Sequence, residues 1–211
     1  MDLANLTVER FLDTVASDSP APGGGSAAAL EASIGAALTA MVASLTQGRK
    51  KYAAFSENAA VVQNRAKELQ EKLLFLMEED SRAFLQVSNA FSLPKTTEEE
   101  KQVRSAAIQS GLKACTRTPM ELMLLCSEGI ALASDFLGNG FNTSSASDLG
   151  VAFLSLKSAM QGAWLNVLIN LSSIQDQDFV REYREKGEKL LHRDLPLAEQ
   201  GYAEILAMVS A

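Results

Sequence analysis

Asp80 is the residue that most invites chemistry. Apolar side chains recur at steps of three and four through Val62, Ala66, Leu69, Leu73 and Met77, the spacing of one helix face. The same steps run on through position 80 to Phe84, Val87 and Phe91, so a carboxylate interrupts a seam that should face a core. Such broken local rules collect at functional sites. A desolvated carboxylate holds its proton to higher pH and can exchange it near neutrality, whereas a neighbouring lysine draws it back. Lys50, Lys51 and Lys95 stand beside loops from which a side chain could reach into a cleft. The plainer alternatives are a seam residue turned to solvent, or one that caps a neighbouring helix.

Two further groups could hold a ligand. Gly23-Gly24-Gly25-Ser26 directly precedes a long apolar stretch. A helix starting there would offer free backbone N–H groups and a favourable dipole to an anion or an oxygen-rich ligand. No Lys-Ser/Thr follows at the Walker A position, and a flexible turn is the competing reading. Asn166 and Asn170 lie one turn apart on the helix face that also carries Asp148. Asp148 and Asn166 are about 27 Å apart along a helix. One small site cannot use both unless a large ligand or a second subunit intervenes.

Composition removes several other chemistries. The 211 residues include one histidine, His192, and two cysteines, Cys115 and Cys126. A two-histidine metal site and a zinc ribbon are excluded, and a Ser-His-Asp triad would have to use His192. Its place between Leu191 and Arg193 reads as surface. The expectation is no metal. Net charge is −7, which argues against nucleic acid or an anionic membrane surface as partner. No basic stretch with an apolar h-region opens the chain, so cytoplasm is the default location.

The elements that must position these groups read as helices. Ala and Leu number 60 against 17 Val and Ile, a balance that favours helix over strand. Val8, Phe11, Leu12 and Val15 mark a short first helix that stops before Pro20. Residues 27–46 carry Glu31 as their only charge. That composition tempts a transmembrane reading, but weakly apolar alanines and a glutamate that is costly in lipid favour a central bundle helix. A long helix follows over 52–91. Thr97-x-x-Glu100 reads as a capping box, and Thr118-Pro119-Met120-Glu121 as a second helix start. Gly138-Asn139-Gly140 closes that helix, a further one covers 148–174, and Asp176 caps a last stretch bent or broken near Pro196. The fold class is all-α, one domain over 1–211, a bundle of five to seven helices.

Taken together, these segments resemble the cyclodeaminase/cyclohydrolase family of folate enzymes over nearly the whole chain. The resemblance rests on Pro20-Ala21-Pro22-Gly23-Gly24-Gly25-Ser26, on Met41 to Thr46 with Gly48 and Lys50-Lys51-Tyr52, and on Asp80-x-x-Ala83-Phe84. Leu93-Pro94-Lys95, Thr97 to Lys101 with Arg104, Gly138-Asn139, Ser147-Asp148 and Asn166-Val167-x-Ile169-Asn170 follow in order. The stretch between Asn139 and Asp148 departs from the family pattern.

The resemblance implies a helical homodimer with folate sites near the subunit contact, and chemistry at the bridge between N5 and N10 of tetrahydrofolate. Either 5-formimino-tetrahydrofolate closes to the 5,10-methenyl cation with loss of ammonia, or water opens that cation to 10-formyl-tetrahydrofolate. Neither reaction calls for a cofactor beyond the folate itself. On this basis Asp80 is expected to transfer the proton, with Lys50 tuning it or binding ligand. Gly23, Gly24, Gly25 and Ser26 would offer donors to the pterin or to a glutamate carboxylate. Lys95 and Arg104 would meet the glutamate tail, single or polyglutamylated. Lys51, Asn139, Asp148 and Asn166 complete the expected binding set. A non-catalytic helical dimer that binds folate or a protein partner is the alternative.

Overall fold

The computed structural model describes residues 2–211. Six α-helices carry the fold: α1 (Val8–Val15), α2 (Gly24–Thr46), α3 (Ser56–Phe91), α4 (Glu98–Asn139), α5 (Ala146–Leu171) and α6 (Gln177–Ser210). Short 3-10 segments at Leu3–Asn5, Lys50–Phe55 and Thr143–Ser145 join or precede them. No strand occurs among the described residues.

Local signals explain most of the boundaries. Thr7 caps α1 by accepting the Arg10 N–H. Thr97 and Glu100 form the reciprocal capping box at the start of α4, satisfying two otherwise orphaned donors. Gly140 ends α4 at a φ of 93°, a conformation that a side chain would resist. Asp176 caps α6 through the Phe179 N–H.

α2 to α5 form an antiparallel ring. Ser26 at the start of α2 meets Met77 to Ser81 late in α3, while Gln47 beyond its end reaches Ala59 and Gln63 near the start of α3. Across the other flank Gly24 lies beside Asn166 and Gly35 beside Leu156 of α5. Asn142 donates its side-chain amide to the Leu45 carbonyl and its backbone N–H to the Thr46 hydroxyl oxygen. α4 packs on α3 and α5 and so closes the ring, and α6 covers α4 and α5 from outside. α2 is long and apolar enough to cross a membrane by composition; here it lies packed between α3 and α5.

Two sequence expectations need correction. Thr118-Pro119 does not start a helix: α4 runs unbroken through Pro119. The Thr118 hydroxyl donates back to the Ala114 carbonyl instead of capping. Proline has no N–H for the carbonyl four residues earlier, which is that of Cys115, and the Asn170 side-chain amide donates there at 3.0 Å. The neighbouring helix therefore repairs the gap. Likewise the chain does not break at Pro196, which lies inside α6. The seam of α3 is buried as far as Met77 and again at Val87, but Phe84 and Phe91 are half exposed. There the face of α3 leaves the core and forms the wall of a cleft.

Leu156 is the wedge of the ring. It is fully buried, and a Cβ on either Gly35 of α2 or Gly129 of α4 would fall 2.8 Å from it. Both helices approach α5 because these positions lack a side chain. Truncation should leave a void that the ring cannot collapse to fill. Leu156→Ala should lower stability by about 2–5 kcal/mol, read as a shift in the urea midpoint at unchanged m-value.

Candidate active site

The helix N-terminus that begins at Gly23 meets the carboxyl of Asp80 from α3. Gly23 is the N-cap, and Gly24, Gly25 and Ser26 form the first turn of α2. A Cβ at position 25 would lie 2.6 Å from Asp80 Cγ, so glycine is what lets the carboxyl rest on that turn. Ser26 Oγ donates to Asp80 Oδ2 at 2.9 Å and also stands 3.1 Å from the Met77 carbonyl and 3.0 Å from Ser81 Oγ. Asp80 thus both caps the neighbouring helix and lines a cleft.

The cleft holds about 380 Å³. Its polar surface comes from Gly23 to Gly25, Asp80, Ser81, Asn166 and Asn170; its apolar wall from Phe84, Val87, Phe91, Leu112 and Ile169. Asn170 Nδ2 donates to the carbonyls of Cys115 and Asn166, at 3.0 and 2.7 Å. With both amide protons engaged, Asn170 has no donor left and offers a ligand only its Oδ1 acceptor. Asn166 spends one amide proton on the Gly162 carbonyl and keeps both donor and acceptor capacity. Cys115 also lines the cleft; burial and the Asp80 charge push its thiol up to about 11, so it is neutral and a weak nucleophile at physiological pH.

Electrostatically the cleft is one-sided. No lysine, arginine or histidine belongs to its lining. Burial raises the Asp80 pKa above its ordinary value, and hydrogen bonds from the Ser26 side chain and backbone pull it partly back. No group of three or more His, Cys, Asp or Glu residues suited to a metal ion occurs among the described residues.

The structure sorts the residues expected from sequence into four places. Asp80, Gly23, Gly24, Gly25 and Asn166 meet at the cleft. Ser26 is fully buried behind the carboxylate, outside the lining. Arg104 and exposed Lys95 stand at the α3–α4 end; the Arg104 guanidinium donates to the Phe91 carbonyl at 3.1 and 3.3 Å and lies over the Phe91 ring. Lys50, Lys51, Asn139 and Asp148 gather instead near the opposite end of α2, whose 23 residues separate the ends by about 34 Å. Lys51 covers the ring of Tyr52 there, and Asn139 binds Asp135. One chain therefore brings neither Lys50 nor Lys51 to Asp80. Ser81, Cys115 and Ile169 were not singled out from sequence, although Ser81 adjoins Asp80 and Cys115 stands four residues before Pro119.

A family model described as formiminotransferase-cyclodeaminase matches residues 7–189. The chain belongs to that family. It is similar to a methenyltetrahydrofolate cyclohydrolase of Methylorubrum extorquens, 39% identical with 98% of this chain and 99% of that protein covered. It is 35% identical to the formimidoyltransferase-cyclodeaminase of Gallus gallus across 94% of its own length, but spans only 36% of that larger protein. The crystal structure of a formiminotetrahydrofolate cyclodeaminase from Thermotoga maritima superposes with a TM-score of 0.80 at 27% identity, covering 99% of this chain and 98% of that one. The all-α architecture of the cyclodeaminase family is therefore present from end to end.

A carboxylate strained by burial leaves a thermodynamic trace. Because the folded pKa of Asp80 lies above its ordinary 3.8, the folded state binds this proton more tightly than the unfolded chain. Its contribution to stability is complete below the unfolded pKa and is lost as pH rises through the folded pKa. Asp80→Asn should accordingly match or exceed the parent in Tm at pH 7, with the advantage shrinking toward pH 4. A parent that gains on the variant between pH 4 and pH 7 would contradict the raised value.

Proposed function

We propose that the protein acts on the one-carbon unit between N5 and N10 of tetrahydrofolate, with Asp80 as the proton-transfer group. The observation that carries this reading is a cleft with a single carboxyl, no cationic side chain in its lining, and the α2 N-terminus beside it. The 5,10-methenyl bridge is a delocalised cation, so an anionic carboxyl in a water-poor site stabilises the charge. In hydrolysis the carboxylate accepts a proton from the attacking water. The resulting acid returns it to N5 as the carbon–N5 bond breaks, and the remaining hydroxyl proton is released to solvent as the formyl C=O forms, giving 10-formyl-tetrahydrofolate. In cyclodeamination N10 attacks the carbon of the protonated formimino group, the carboxylate takes the N10 proton, and the acid so formed delivers it to the amino group that leaves as ammonia. The near-full-length likeness to a cyclohydrolase makes hydrolysis the first reaction to assay.

The remaining lining suits the rest of a folate. Phe84 and Phe91 offer exposed ring faces for a planar heterocycle, and the asparagine pair offers amide hydrogen bonds. The anionic glutamate tail has no cation inside the cleft and is directed outward, toward Arg104 and Lys95.

A second copy of the chain completes this reading. α2 and α5 share an apolar ridge in which Ile34, Met41, Val151, Leu154, Leu165 and Ile169 are exposed, and Ile169 belongs to the cleft rim. Packing this ridge about a two-fold axis with α2 antiparallel to its copy would bring Lys50 and Lys51 of one subunit toward Asp80 of the other.

Two measurements test the reading. Loss of methenyl absorbance, or its growth from 5-formimino-tetrahydrofolate with ammonia release, should be catalysed by the parent. Asp80→Asn should be folded and slower by at least about a hundred-fold. No turnover of either substrate by the parent would favour a folate-binding or protein-binding role. For the composite site, co-refolding inactive Asp80→Asn with inactive Lys50→Met should restore about a quarter of parental activity through mixed dimers that hold one intact site. No recovery on mixing, or full activity of Lys50→Met by itself, would overturn the composite site.

A further inference from the structure

The hydroxyl of Ser26 has one proton and three neighbours able to take or give one. It lies 2.9 Å from Asp80 Oδ2, 3.1 Å from the Met77 carbonyl and 3.0 Å from Ser81 Oγ, and it is shut off from solvent. The Ser26 hydroxyl has two settings that leave both it and the carboxyl satisfied. With Asp80 ionised, Ser26 donates to Oδ2 and accepts from Ser81. With a proton on Oδ2, that proton is donated to Ser26, which turns its own toward the Met77 carbonyl. The change needs a hydroxyl rotation and no movement of heavy atoms. Oδ1 makes no side-chain hydrogen bond and lies over Gly25 of the cleft lining.

We infer that Ser26 is a positioning residue whose hydroxyl decides which oxygen of Asp80 carries the proton. While Ser26 donates to Oδ2, that oxygen is occupied as an acceptor and a proton arriving on the carboxyl must sit on Oδ1, where the cleft is. When Ser26 turns to the Met77 carbonyl, Oδ2 can hold the proton facing inward, and Oδ1 is left as a bare acceptor. The rotor thus separates an acid form of Asp80 that presents its proton from a resting form that hides it. This deepens the assignment of Asp80 as the proton-transfer group and rests on it for its catalytic consequence.

The surroundings leave Ser26 as the adjustable neighbour. From α4 the titratable group facing Asp80 is Cys115, whose thiol stays neutral below about 11. From α5 the neighbours are the neutral amides of Asn166 and Asn170. On α3 itself Arg82 pairs with Glu79, and Glu78 accepts the N–H groups of Leu3 and Ala4. From α2 come the first-turn glycines and Ser26.

The test reads the carboxyl directly. In the full chain carrying carboxyl-labelled aspartate, the Asp80 carbon signal, identified by its loss in Asp80→Asn, is titrated by NMR without substrate. Ser26→Ala removes the donor to the anion and should move the Asp80 midpoint up by about one pH unit. Ser81→Ala leaves that donor in place but removes its own support, and should move the midpoint upward by less. An unmoved or lowered midpoint in Ser26→Ala overturns the inference, as does an unmoved or lowered one in Ser81→Ala should Ser26→Ala fail to fold. Where turnover is measurable, Ser26→Ala should lower kcat at near-constant KM and shift the pH profile in the same direction as the carboxyl midpoint. A titration shift in a parent that turns over neither folate would leave the switch standing and remove the folate reading.

Discussion

The cleft depends on one close contact, the Asp80 carboxyl resting on the first turn of α2. Three conditions make it possible, and each is a different kind of constraint. The backbone must come near, which requires that residue 25 have no side chain. The carboxyl must be partly desolvated, which follows from the packing of the start of α2 on α3 between Met77 and Ser81. The anion must still be tolerable, which the Ser26 hydrogen bonds and the free N–H groups of a helix start provide. Desolvation and hydrogen bonding pull the pKa in opposite directions, with desolvation the larger. A group poised that way can hold and release a proton with small free-energy differences, which a fully solvated or fully paired aspartate could not.

The facing wall depends on a second local exception, at Pro119. A proline deep inside a 42-residue helix ought to be expensive, because it strips one carbonyl of its partner. Here the stripped carbonyl belongs to Cys115, on the cleft side of α4, and Asn170 of α5 occupies it. The same amide also donates to Asn166, so the helix defect fixes the orientation of the asparagine pair. A feature that reads in sequence as a boundary is in three dimensions a docking point between two helices. Its effect on the site is to fix Asn170 as an acceptor and leave Asn166 with a free N–H.

This difference between local and tertiary satisfaction explains what was legible in the sequence. Caps at Thr97 and Asp176, the glycine stop at Gly140 and the apolar periodicity of α3 act within a few residues, and the structure reproduces them. Asp80 was legible because the seam around it was regular enough for one exception to stand out. Pro119 was misread because the partner of its missing hydrogen bond comes from 55 positions along the chain. Phe84 and Phe91 continue the seam in sequence but face a cleft, since periodicity specifies a face of a helix and says nothing about where the opposing helix ends. Lys50 stands beside a loop, which in sequence lets its side chain reach toward a cleft, but the length of α2 holds it away from Asp80 within one chain.

That length carries a consequence for how the charges are arranged. The ligand in the proposed reaction is bipolar, with a cationic bridge and an anionic tail, while the cleft lining supplies only a carboxyl and neutral groups. Cations near such a ligand must come from the rim or from elsewhere. Arg104 is tethered to the rim through the Phe91 carbonyl, so this cation is held to the apolar wall. The lysines of the 3-10 segment sit at the opposite end of a straight apolar helix whose flank is exposed. Parallel stacking of two copies along that flank would keep like ends together and leave each cleft with its rim arginine alone. Antiparallel stacking, the arrangement a two-fold axis perpendicular to α2 imposes, exchanges the ends, and both clefts acquire lysines by one symmetry operation. Under that arrangement the separation of Lys50 from Asp80 within a chain is what keeps the carboxyl free of a permanent ion pair. Its proton affinity would then stay high in the isolated subunit and come under cationic control only on assembly.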